Sequence, residues 1–65
     1  MSPAQVRKRV REIEEVQDDS ERAHGAEDAL YRDVLQAIAA GAEDARALAV
    51  AALKTGRLNF SRWTA

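Results

Sequence analysis

The segment DDSERAHGAED, residues 18–28, gathers the side chains best suited to chemistry, with the only histidine, His24, among Asp18, Asp19, Glu21, Glu27 and Asp28. On a helix, Glu21, His24 and Asp28 are spaced three and four apart and share one face, and Glu-x-x-His is the spacing with which di-iron carboxylate bundles hold metal. Such a centre needs two of these pairs and two further glutamates, so with one histidine per chain only a twofold dimer supplies the set. Gly25, inside the segment, also withholds the rigid support that ligands need. The same acids are explained as a helix start, where Asp or Ser caps free amides and anions suit the positive end of the macrodipole. The expectation is therefore a helix start with no metal and no cofactor; Glu21, His24 and Asp28 are the residues that a metal would use if one bound.

Other chemistry finds little material. Without cysteine there is no thiol catalysis, thiolate zinc site or disulfide, which is compatible with a reducing compartment. The glycines do not form a phosphate loop or dinucleotide fingerprint, and no serine stands in a nucleophile elbow. Carboxylates on so small a chain are mostly solvated rather than held in a cleft that shifts their pKa. The expectation is a protein that is not an enzyme. No apolar run approaches the ~18 residues of a membrane span, and MSPAQVRKRV lacks the apolar region of a secretory signal. A cytoplasmic location with no membrane partner follows. Ten basic and eleven acidic residues nearly cancel, so net charge steers the chain toward no partner.

The elements that would position these residues are all helical. Sixty-five residues make one domain, 1–65, near the size at which a single core barely offsets chain entropy. A first helix over 3–17 is predicted from SPAQ, where Ser2 and Gln5 form a capping box around Pro3. A second, over 20–40, takes its cap from Asp18, Asp19 or Ser20; it buries Leu30, Val34, Ala37 and Ile38, with Ala23, Ala26, Tyr31 and Leu35 widening the stripe. Gly25 costs about 1 kcal/mol relative to Ala, so the first turns are expected to fray or the helix to begin near Ala26. Gly41 ends it, and a third helix follows over 44–55 with Ala45, Leu48, Ala49, Ala52 and Leu53 as its inner face, stopped by Gly56. The tail, 57–65, carries Leu58, Phe60 and Trp63. An aromatic side chain buries roughly 150 to 250 Å², so the tail is expected to fold back on the helices, with Trp63 the residue that could instead face a partner. The fold class is an all-α three-helix bundle with an aromatic tail packed back on it.

The first helix carries the interaction features. Val6, Val10 and Ile13 form a narrow seam of coiled-coil type. Arg7, Lys8, Arg9 and Arg11 crowd its positive end and Glu12, Glu14, Glu15, Asp18 and Asp19 its negative end, the reverse of what the macrodipole favours. Lys8 with Glu12 and Arg11 with Glu15 are available as i,i+4 pairs in the weaker order. A local feature that opposes folding points to another purpose, such as antiparallel pairing with a second copy or docking on a charged partner. Self-association as a homodimer and binding of another protein both fit. The alternative is a nucleic-acid-associated factor gripping phosphates with Arg7, Lys8, Arg9 and Arg11, against which the acidic half of the helix acts within about two Debye lengths. A helix-turn-helix is excluded, because no recognition helix follows the third helix.

Across AHGAEDALYRDVLQAIAAG and AAALKTGRLNFSRW, the chain resembles small uncharacterised helical proteins of actinobacteria and their phages. The likeness runs from about Asp18 to Trp63 and rests on Asp18 and Asp19, Ala23 and His24, Glu27 and Asp28, Ala52 to Thr55, and Phe60 to Trp63. The chain departs from that pattern with Gly25 in place of serine and Thr64 in place of cysteine, which weakens a thiol role. The resemblance implies no activity; it implies a free-standing bundle encoded by a short gene. The functional expectation is a non-enzymatic accessory or regulatory factor that acts through helical surfaces.

Overall fold

The computed structural model describes residues 1–62. Among them are three α-helices, α1 (Pro3–Glu15), α2 (Ser20–Ala39) and α3 (Ala45–Leu53), with a 3-10 turn, Lys54–Arg57, continuing the last, and no strand. The start of α1 is fixed by reciprocal bonds: Gln5 N donates to Ser2 Oγ at 3.2 Å and Ser2 N to Gln5 Oε1 at 2.7 Å, with Pro3 at the first helical position. The helix stops short of residue 17, because Val16 leaves helical geometry at φ −114 and ψ 17. Asp19 caps α2 by accepting from Arg22 N at 3.2 Å. The α2 helix then passes through Gly25 unbroken, so the expected fraying does not occur.

Gly41 ends α2 in the left-handed region, at φ +94. Gly41 N donates to Ile38 O at 3.0 Å and Ala42 N to Ala37 O at 3.1 Å. This is a Schellman motif, which satisfies two carbonyls that would otherwise be orphaned. Asp44 precedes α3 without a side-chain cap bond, and the 3-10 turn carries the chain past Gly56, where a stop was expected.

Each helix packs against both others. Val6 and Ile13 of α1, Ala23, Leu30 and Val34 of α2, Leu48, Ala51 and Ala52 of α3, and Phe60 form the core, with Val10 and Leu58 partly buried against it. The Val6, Val10 and Ile13 seam is thus engaged inside its own chain, which corrects its expected role as a surface for a second copy. The face of α3 is also corrected. Leu48, Ala51, Ala52 and Thr55 point inward, whereas Leu53 is 67% exposed; on α2, Leu35 is 65% exposed. The fold is thin, 34 × 22 × 14 Å between Cα extremes, against a helix diameter of roughly 10 to 12 Å. The helices therefore leave some of their apolar surface uncovered.

The two glycines of α2 and its end give opposite expectations. Gly25 is exposed and helical with no atom within 4 Å of an added Cβ, so Gly25→Ala is expected to stabilise by about 0.5 to 1 kcal/mol. Gly41→Ala forces a side chain into the left-handed region and is expected to destabilise by about 1 to 2 kcal/mol. Thermal unfolding checks both, at roughly 4 to 8 °C per kcal/mol; melting shifts of the same sign would contradict this account of the helix and its cap.

Candidate functional site

The most concentrated polar chemistry lies around Glu27, which is 4% exposed on the inner side of α2. Burying a carboxylate is tolerable only when it is paired and hydrogen-bonded. Arg62 meets it in bidentate fashion, with Nε to Oε1 at 3.0 Å and Nη2 to Oε2 at 3.1 Å. The same guanidinium donates from Nη2 to Thr55 O at 2.8 Å and lies 4.0 Å from the centroid of the Phe60 ring. Thr55, fully buried, shares a 2.6 Å hydrogen bond between its hydroxyl and that of Tyr31. Asn59 N donates to Gln17 Oε1 at 3.0 Å and Ser61 N to Ser20 Oγ at 3.1 Å, tying the segment after α3 to the turn between α1 and α2. Burial pushes the Glu27 carboxyl up. Hydrogen bonds from Arg62 and Thr55, together with the charges of Arg62 and His24, outweigh that push and hold it below the usual carboxylate value. The cluster acts as a clasp, joining α2, the 3-10 turn and the segment after it.

In the sequence Glu27 stands only as a neighbour of the Glu21, His24 and Asp28 face, and Arg62 carries no site signal. Glu27 shows as a carboxylate on the stripe of Ala23, Leu30 and Val34, but its partner lies far along the chain. His24 faces Asp28, with Nε2 and Oδ2 3.5 Å apart, and Glu21 is exposed and outside that pair. Among the described residues, no group of three or more His, Cys, Asp or Glu is placed to hold a metal ion.

Of the basic cluster, Arg9 is taken by Asp33 of α2 at 2.7 Å, while Arg7, Lys8 and Arg11 are exposed. The Lys8 to Glu12 and Arg11 to Glu15 pairs do not close into salt bridges among the described residues, as suits long side chains in the weaker order. Trp63 lies outside the described residues.

The remaining feature is apolar. Tyr31, Val34, Leu35 and Ile38 of α2 and Ala49, Ala52 and Leu53 of α3 line a groove of about 240 Å³. Val34 and Ala52 form its floor, and Leu35 and Leu53 stand as its lips. Its one polar side chain, Tyr31, has its hydroxyl engaged by Thr55. The groove is smaller than the roughly 300 to 1,000 Å³ of clefts that enclose small ligands, and it has no convergent polar groups. Two other depressions, one along Asp28, Arg32, Leu35 and Gln36 and one along Asp19, Glu21 and Arg22, are each lined by a single helix or its cap and enclose nothing. Compared with known proteins, the chain matches no family model, no curated protein and no solved structure.

The clasp has a pH signature. Because the folded-state pKa of Glu27 is depressed, its stabilisation is full above the ordinary glutamate value of about 4.3 and is lost as pH falls through the folded-state value. Glu27→Gln is expected to destabilise by about 1 to 3 kcal/mol at pH 7 and to flatten the stability profile below pH ~4.3. Urea unfolding from pH 7 to pH 3 checks this, and an unchanged acid limb in the variant would refute the role of the carboxylate.

Proposed function

We propose that this protein is a non-enzymatic accessory or regulatory factor that acts by contact with another macromolecule, and that its contact surface is the α2–α3 groove rather than the α1 seam. The observation that carries this reading is the outward placement of Leu35 and Leu53 over an apolar floor, where the buried side-chain polar atoms of the described residues all have partners. An apolar groove rimmed by polar residues is the kind of surface that proteins bury against one another. The aromatic tail, on this reading, lies back on the helices and completes the core rather than meeting the partner; Phe60, 8% exposed, supports that division.

Nucleic-acid binding through α1 has weaker support, because Asp33 neutralises Arg9 in the middle of the basic cluster. No helix among the described residues is long and apolar enough to cross a membrane. A cytoplasmic location is part of the proposal and fits a chain without cysteine.

Site-specific photocrosslinking tests the reading. With p-benzoylphenylalanine in place of Leu53 or Leu35, irradiation in producing cells is expected to give discrete protein adducts that are absent when the same group replaces Lys8 or Glu14. Adducts confined to the α1 positions, or formed with nucleic acid, would overturn it.

A further inference from the structure

We infer that the occupant of the α2–α3 groove is an amphipathic helix with acidic flanks, contributed by another protein; this rests on reading the groove as the contact surface. The groove itself selects a helix. Its walls are two α-helices whose backbone groups are bonded within themselves, so it offers no sheet edge to an extended peptide. An extended chain laid there would bury its N–H and C=O groups without partners, whereas a helix brings its own satisfied backbone. The nine residues of α3 span about 13 Å, room for an apolar stripe at i, i+3, i+4 and i+7 to sit between Leu35 and Leu53.

The charge around the groove selects the flanks of that helix. Arg32 borders Leu35 on α2. Along the exposed side of α3 and its 3-10 turn, Arg46, Val50, Leu53, Lys54 and Arg57 follow at helical spacing, and all are exposed. None of Arg32, Arg46, Lys54 and Arg57 forms a salt bridge among the described residues; the cations that do are Arg9, His24 and Arg62. Asp28, exposed and 3.5 Å from His24, lies beside Leu35 with Arg32 and is the acid on that rim; Asp33 is bound by Arg9, and Glu43 and Asp44 lie in the turn before α3. An apolar slot whose frame carries these four cations against Asp28 is complementary to an apolar stripe flanked by Glu and Asp.

A second copy fits less well. A twofold contact through the groove would gather Arg32, Arg46, Lys54 and Arg57 of both copies around one apolar patch. The α1 helix of this chain, whose second half is acidic, has its apolar residues Val6 and Ile13 buried and offers the outside Arg7, Lys8, Arg11, Glu12, Glu14 and Glu15. It cannot act as the ligand without unfolding.

The test uses the full chain and a fluorescein-labelled designed helix of about 16 residues. It carries Leu at i, i+3, i+4 and i+7 and Glu on the flanks, and is compared by fluorescence anisotropy with a peptide of the same apolar face and Lys flanks. The Glu peptide is expected to bind at least ~10-fold more tightly at low salt, with the gap closing as ionic strength rises toward ~0.5 M. Leu53→Asp, and independently Leu35→Asp, should each weaken it by ~10-fold or more, with circular dichroism confirming that each variant is folded. Arg32→Glu combined with Lys54→Glu should remove the preference for Glu flanks. Equal or tighter binding of the Lys peptide, binding indifferent to both leucine variants, or no binding of either peptide would overturn the inference. Sedimentation of the chain alone separates this from the broader reading: a dimer dissolved by Leu53→Asp would replace the acidic helix with a second copy and leave the groove as the contact surface.

Discussion

The rotation of α3 about its own axis is the constraint on which the exposed surface depends, and a polar contact sets it. Thr55 is fully buried and meets the Tyr31 hydroxyl at 2.6 Å. Its carbonyl accepts from the Arg62 guanidinium, which in turn holds Glu27. With Thr55 turned inward, residues three, four and seven earlier follow it, namely Ala52, Ala51 and Leu48, all of which are buried. Leu53, two positions before Thr55, is carried out to solvent by the same rotation. The alternative rotation would bury Leu53, worth roughly 1.5 to 3 kcal/mol of apolar transfer. It would also turn the Thr55 hydroxyl away from Tyr31 and strip Arg62 of a carbonyl beside a buried carboxylate. Leaving the buried hydroxyl of Thr55 without its partner costs about 1 to 3 kcal/mol, and the lost carbonyl contact adds up to about 1.5 kcal/mol. The two sides are of similar size, and the fold adopts the arrangement with Thr55 inward and Leu53 outward.

This explains which parts of the fold were legible in the sequence. Signals that act within four or five residues were readable: the Ser2 and Gln5 box, Pro3 at the start of α1, and Gly41 in its left-handed cap. The inner stripe of α2 around Leu30 and Val34 was readable too, because large side chains dominate its periodicity. The stripe of α3 was not. Its two overlapping alanine and leucine patterns, one through Leu53 and one through Thr55, differ by a rotation that local periodicity cannot arbitrate, and the deciding partners sit on other elements: Tyr31, Glu27 and Arg62. Gly25 was misjudged for a related reason. A propensity penalty of about 1 kcal/mol is small beside the burial of Ala23, Leu30 and Val34 on the same helix.

The candidate site was less legible still. The acidic histidine segment attracts notice by composition, yet the fold uses Asp19 as a cap, Glu27 as half of a clasp and His24 as a neighbour of Asp28. Each role is local or structural. Hydrophobic patterning assigns every apolar residue to a core, and in a chain only 14 Å thick at its narrowest that assignment must fail somewhere. It fails at Leu35 and Leu53, where helices that would need a further layer have none. Local rules break where a protein gives up stability for another purpose, so the departure of α3 from its best apolar packing and the presence of the groove are one fact seen from two sides.

An uncovered apolar groove carries a hazard of its own, since copies of the chain would be drawn together through it. The cations beside the groove answer that hazard in the same stroke that defines a partner. Approach of a second copy brings like charges together around an apolar patch, where the dielectric is low and repulsion is strong; approach of an acidic helix brings opposite charges to the same places. Discrimination of this kind comes from a repulsive element set against the wrong occupant as much as from attraction to the right one. That Arg32, Arg46, Lys54 and Arg57 form no salt bridge among the described residues is what permits it. Had Asp28 or Asp33 closed on Arg32, the frame would carry one cation fewer and the slot would discriminate less between an acidic and a basic flank. The pairing of Asp33 with Arg9 thus has a consequence beyond holding α1 and α2 together, because it ties one acid of α2 to α1 rather than to the cations beside the groove.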